Sequence, residues 1–160
     1  MMKTRHFLLL LVCTAIGFTA CKKNSKDNFD ASAQFTTDTT AIRAFVVANK
    51  IPAVKDAKSG IFYQIITPGT GSVSYSGSTK VTVNYTGKLL NGTIFDTTAG
   101  TAVTFPLGGL IQGWQIGIPL IQPGGRIRLI IPSGLGYGNG GGGLPANSVL
   151  DFTIDVINAQ

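Results

Sequence analysis

The chain has 160 residues, about 44% of them hydrophobic, enough for one domain of about 100 to 150 residues with extensions. Thirteen Lys and Arg stand against seven acidic residues, all Asp, for a net charge of +6. Residues 59–160 balance Lys80, Lys88, Arg126 and Arg128 against Asp96, Asp151 and Asp155, which excludes a basic nucleic-acid face. The single histidine is His6 and the two cysteines are Cys13 and Cys21, so nothing past residue 21 can supply a zinc site of the N/S type, a Ser-His-Asp or Cys-His nucleophile, a disulfide or a thiol redox pair. The predicted folded part is left with Asp, Tyr, backbone amides and the shape of an apolar cavity. No metal and no cofactor is expected.

Lys3 and Arg5 precede an uncharged apolar run over residues 7–20, followed by Cys21-Lys22-Lys23. That is the plan of a secretory signal peptide, and the run is shorter than the roughly 20 apolar residues needed to span a bilayer. Phe18-Thr19-Ala20-Cys21 resembles a bacterial lipobox, which implies lipidation of Cys21, although Phe18 departs from the usual Leu. Ordinary secretion with an incidental cysteine is the plain alternative. Residues 1–20 are thus read as a lipoprotein leader and 21–35, rich in Lys, Asn, Ser and Asp, as a flexible tether.

Within residues 36–58, Asp38, Thr39 or Thr40 is predicted to cap a helix carrying Ile42, Phe45, Val46 and Asn49 at spacings of three and four, ending near Lys50 before Ile51-Pro52. Its apolar stripe must be covered, by this chain or by a second copy. A linker over 53–60 follows. From residue 61 the period changes to two. Strands are predicted over 61–66, over 79–86 with Val81, Val83 and Tyr85 on one face, at Ile94-Phe95, over 103–105, over 126–131 and over 150–156. Leu90-Asn91-Gly92-Thr93 is a hairpin turn. The one helical segment in this body is 110–120, weakened by Gly113, Gly117 and Pro119, so tertiary packing must hold it, with Trp114 as its anchor. The expected class is α+β: an antiparallel half-barrel sheet wrapped around a short central helix, with an N-terminal helical extension.

The strings Val83-Asn84-Tyr85-Thr86-Gly87, Asn91-Gly92-Thr93-Ile94-Phe95-Asp96, Phe105-Pro106-Leu107-Gly108, Leu110-Ile111-Gln112-Gly113-Trp114, Leu135-Gly136-Tyr137-Gly138 and Leu150-Asp151-Phe152 follow one another in this order. The ordered set resembles the FK506-binding-protein type of peptidyl-prolyl cis-trans isomerase over residues 59–160. The resemblance implies an apolar pocket for a prolyl ring, with Tyr85, Phe95, Trp114, Tyr137 and Phe152 as walls and floor and Leu110, Ile111 and Leu144 completing the lining. It further implies that the Ile111 N–H and the Tyr137 hydroxyl bind substrate carbonyls, and that Asp96 sits at the edge, polarising the site or fixing Tyr85. Each aromatic taken singly is more simply core packing on an alternating strand; only the joint pattern points to a site.

Val103 occupies a position where many members of that family carry an aromatic, with Phe105 two residues later on the same strand face. Gly140 to Gly143 form a run of four glycines after Tyr137. A phosphate-cradling loop is excluded there, because no Gly-Lys-Ser/Thr follows and the next element is a strand. The resemblance implies an isomerase for Xaa-Pro bonds of exported, folding chains, with FK506-type macrolides as candidate inhibitors, and the leader adds a lipid anchor on the periplasmic face; no nucleic-acid partner is expected, and the protein is read as a monomer or a helix-mediated dimer. The alternative from a different class is a module that binds Pro-containing segments, as chaperone or scaffold, with little turnover.

Overall fold

A computed structural model describes residues 29–160; the leader, Cys21 and most of the expected tether lie outside the described residues. The first element, α1 (Ala31–Ala48), begins earlier than its apolar spacing suggests. Its cap is Asp30, whose carboxylate accepts from the Ser32 and Ala33 N–H groups at 2.9 and 3.0 Å. Residues 31–35, expected as tether, are therefore helical. The polar first half carries no apolar period, and Thr36, Thr37 and Thr39 turn their hydroxyls back onto carbonyls of the preceding turn. Asp38, expected as a cap, instead shares one buried stripe with Ile42 and Val46 at spacings of four.

A two-residue strand β1 (Val54–Lys55) falls in the segment expected as linker. The sheet continues with β2 (Phe62–Thr67), β3 (Lys80–Leu89), β4 (Ile94–Thr97) and β5 (Val103–Pro106). After the short helix α2 (Gln112–Gly117) come β6 (Gly125–Ile131) and β7 (Leu150–Ala159). All pairs are antiparallel, in the order β1-β2-β6-β7-β3-β4, and β5 joins the same edge of β3 as β4, nearer its start. The β3–β4 hairpin closes through Gly92, whose φ of 88° is open to glycine without strain.

Alternation sends the two faces of this sheet to different cores. Ile127, Leu129 and Ile131 of β6 and Phe152, Ile154 and Val156 of β7 point to the concave face, where they bury Trp114 and Ile118. On the convex face, Phe62 and Ile130 pack under Ile42 and Val46 of α1. Arg126 and Arg128, on the convex side, each make bidentate contacts, to Asp155 and Asp151 respectively. Helix α2 is intrinsically weak, and it lies close on β6 because it lacks side chains where they would collide. A Cβ at Gly113 would come within 2.5 Å of the Ile131 side chain. Pro119 does not break α2, since the chain tightens into a 3₁₀ turn over Ile118–Leu120.

Candidate active site

Three aromatic rings from separate elements meet edge to face on the concave side. Trp114 of α2 lies with its ring centre 5.0 Å from Tyr85 of β3 and 5.1 Å from Phe152 of β7, at interplanar angles of 84° and 87°. Phe95 of β4 closes on Phe152 at 5.4 Å. Gly87 makes that last contact possible: it faces Phe152 in the β3–β7 register, and a Cβ there would fall 2.6 Å from Phe152 and 2.8 Å from Phe95.

The rings bound a cavity of about 220 Å³ lined by Tyr85, Asp96, Phe105, Leu110, Ile111, Trp114, Tyr137 and Phe152. Trp114 and Phe152 are buried, Tyr85 half-buried, and Tyr137 stands 39% exposed at the mouth. Polar groups are few and placed at the rim. The Tyr85 hydroxyl donates to Asp96 Oδ2 at 2.7 Å. Burial and that hydrogen bond push the Tyr85 phenol well above its ordinary value, and burial together with the Asp96 charge raises that of Tyr137. Both remain neutral donors at any physiological pH. Between them, Leu110 is held by Gln115, whose Nε2 donates to the Leu110 carbonyl at 2.7 Å. The Ile111 carbonyl begins α2 by accepting from Trp114 N, and among the described residues no acceptor takes the Ile111 N–H.

The structure thus brings together Tyr85, Asp96, Trp114, Tyr137, Phe152, Leu110 and Ile111. Three expected residues stand apart from the cavity. Phe95 supports Phe152 from behind, while Val103 and Leu144 are half-buried and pack on the concave core. Val103 pairs with Val83, next to Tyr85 on the same strand face, but its short side chain does not reach the opening. Phe105 lines the cavity in its place. Its sequence signal was present, an aromatic on the same strand face as Val103, but spacing alone does not say which of two such positions reaches the opening.

Known proteins are similar to this chain in sequence and in fold. The family model for FKBP-type peptidyl-prolyl cis-trans isomerases matches residues 71–157. A probable FKBP-type peptidyl-prolyl cis-trans isomerase of Haemophilus influenzae is 42% identical over 111 residues, which is 67% of this chain and 46% of that protein. The chain spans about half the length of the curated relatives it matches. The crystal structure of FkpA from Escherichia coli superposes with a TM-score of 0.67 at 34% identity, covering 80% of this chain and 63% of that one. A peptidyl-prolyl cis-trans isomerase from Pseudomonas syringae pv. tomato superposes at 0.65 with 32% identity, covering 78% of this chain and 95% of that one. With the matched segment running from before β3 into β7 and so containing every residue of the cavity, the chain belongs to the FKBP-type peptidyl-prolyl cis-trans isomerase family.

Proposed function

We propose that this protein is a peptidyl-prolyl cis-trans isomerase acting on Xaa-Pro bonds of exported polypeptides. The observation that carries this reading is the cavity: an aromatic-walled space of about 220 Å³ lined by Tyr85, Phe105, Trp114 and Phe152, with Asp96 and the exposed Tyr137 among its polar lining. Peptide rotation faces a barrier of about 18 to 20 kcal/mol that comes from C–N resonance. No bond is made or broken, so neither nucleophile nor metal is needed. The planar amide carries more separated charge than the twisted one, and a pocket floored by Trp114 and walled by Tyr85, Phe105 and Phe152 removes the water that stabilises it. The prolyl ring held there leaves the flanking carbonyls at the mouth, within the domain of the Tyr137 hydroxyl and the Ile111 N–H. Donors that fit the twisted state better than the planar one lower the barrier by the difference. Asp96 acts on Tyr85, which it fixes by the 2.7 Å hydrogen bond, rather than as an acid or base.

The leader and Cys21 support a lipid-anchored protein in the cell envelope, facing the periplasm, where slow proline isomerisation limits folding of arriving chains. The stripe of Ile42 and Val46 is covered by the sheet of the same chain, which supports a monomer over a helix-mediated dimer. FK506-type macrolides are proposed as competing ligands of the same cavity. The test is the isomerisation rate of a short Xaa-Pro peptide with the wild type and with Asp96→Val and Tyr137→Phe variants of matched stability. Turnover that both variants reduce is the expected result. Absence of turnover, with peptide binding that Trp114→Ala abolishes, would make the protein a Pro-segment-binding module instead.

A further inference from the structure

Asp38 lies in the middle of α1, on the side of the sheet away from the cavity, and only 3% of it is exposed. A buried carboxylate is costly unless donors surround it. Here its Oδ2 accepts from both the N–H and the Oγ–H of Ser133, at 2.8 and 2.6 Å, and its Oδ1 accepts from Gln34 Nε2 at 2.7 Å. It does not cap α1, because Asp30 does. Ser133 is 1% exposed and opens the 3₁₀ turn Ser133–Leu135 that follows β6.

The other end of Ser133 faces the site. Its carbonyl accepts from the Gly136 N–H at 3.0 Å and from the Gly138 N–H at 2.9 Å, the two residues on either side of Tyr137. Tyr137 has no side-chain hydrogen bond among the described residues, and the chain beyond it runs into the glycines of 140–143. Its place at the cavity mouth is therefore set by backbone bonds: the two that converge on Ser133, and those from the Gly140 N–H to the Tyr137 carbonyl and from the Asn147 N–H to the Gly138 carbonyl, at 3.1 and 2.7 Å. We infer that Asp38 is a positioning residue for Tyr137: through Ser133 it couples the N-terminal helix to the hydroxyl at the mouth of the cavity. The inference rests on the isomerase reading for its effect on rate, but the tether itself is a matter of structure. Without the carboxylate, two buried Ser133 donors lose their acceptor, and the turn must move to find water. An error of about 1 Å in a substrate-positioning group costs up to about a hundredfold in rate.

The test uses the full chain, under conditions where unfolding curves show each variant folded. Asp38→Ala is expected to lower kcat/KM by about ten- to a hundredfold. Asp38→Asn is expected to recover most of that loss, since its carbonyl can take the place of Oδ2 while its amide faces Gln34, whose own amide turns over to present oxygen. Combining Asp38→Ala with Tyr137→Phe separates positioning from general damage. The double variant should be little worse than the more impaired single one, whereas an Asp38→Ala factor of equal size in both backgrounds would overturn the inference. Should Asp38→Ala not fold, Ser133→Ala, which removes the hydroxyl and keeps the backbone bond, replaces it in the same cycle with a smaller expected loss.

Amide hydrogen exchange decides the tether without any turnover, and so separates its failure from failure of the isomerase reading. Faster exchange at Gly136 and Gly138 in Asp38→Ala, restored in Asp38→Asn, with β6 and β7 unchanged, is the expected result. Unchanged exchange at those two amides, or acceleration spread over the whole sheet, would overturn it.

Discussion

The two halves of the cavity are held in place by different physics. Tyr85, Trp114 and Phe152 stand on strands and a helix, lock one another edge to face at ring separations of 5.0 to 6.1 Å, and belong to the same core as Ile127 and Ile154. Tyr137 stands on a loop, with its hydroxyl free among the described residues, and depends on backbone bonds to Ser133. The first half is rigid because moving any ring opens a void; the second is placed by hydrogen bonds whose far end lies under α1. Catalytic shape and catalytic donors are thus separable, and mutations should divide the same way.

The largest break in the rigid half is Trp114→Ala. Emptying the floor of both core and cavity should cost about 3 to 5 kcal/mol in urea unfolding and remove peptide binding along with turnover. Asp96→Val should cost far less stability, because Asp96 is exposed, and yet lower kcat/KM by about ten- to a hundredfold, as expected when the Tyr85 wall that it fixes is misplaced. Urea curves and steady-state rates on the same samples check both statements.

A pH profile sharpens the comparison further. Both phenols are raised above their ordinary value of 10.0, so kcat/KM should stay flat up to about pH 10. Because the folded pKa values are the higher ones, the stability they contribute is whole below the unfolded value and is lost as pH rises through the folded values. In Asp96→Val the alkaline limb should move to lower pH, since the charge that helps hold Tyr137 neutral is gone. The smallest effect is expected in the loop. Gly140, Gly142 and Gly143 have φ values of 112°, 61° and 78° and resist any side chain, whereas Gly141 does not. A Cβ at Gly141 would rest 3.6 Å from the Tyr137 ring. Gly141→Ala should reduce loop entropy by about 0.4 to 1 kcal/mol and lower KM by about two- to fivefold, which peptide titration would detect.

The same division governs what the sequence made legible. Most of the cavity was legible only through the family resemblance that the ordered strings carry, whereas the sheet followed from period-two alternation on strands such as 79–86 and 150–156. Those signals are local: each residue's face follows from its neighbours. Asp38 shows the opposite case. Asp followed by Thr-Thr before an apolar period looks like a helix cap, and the residue that donates to its carboxylate lies 95 positions away. Residues 31–37 form helix without any apolar stripe, so periodicity has nothing to report there. Val103 and Leu144 missed the cavity for a related reason. Their face was right, but the length of a side chain and the path of a glycine loop decide what reaches the opening.

Trp114 is the single tryptophan, and its buried Nε1 has no hydrogen-bond partner among the described residues, so its indole proton is one resolved reporter on the cavity floor. The most direct measurement is exchange NMR of a cis/trans Xaa-Pro peptide titrated with the full chain while that proton is observed. Exchange between the peptide's isomers should accelerate over the same concentration range in which the indole resonance shifts. An unaccelerated peptide, or acceleration with the indole unmoved, would contradict the account.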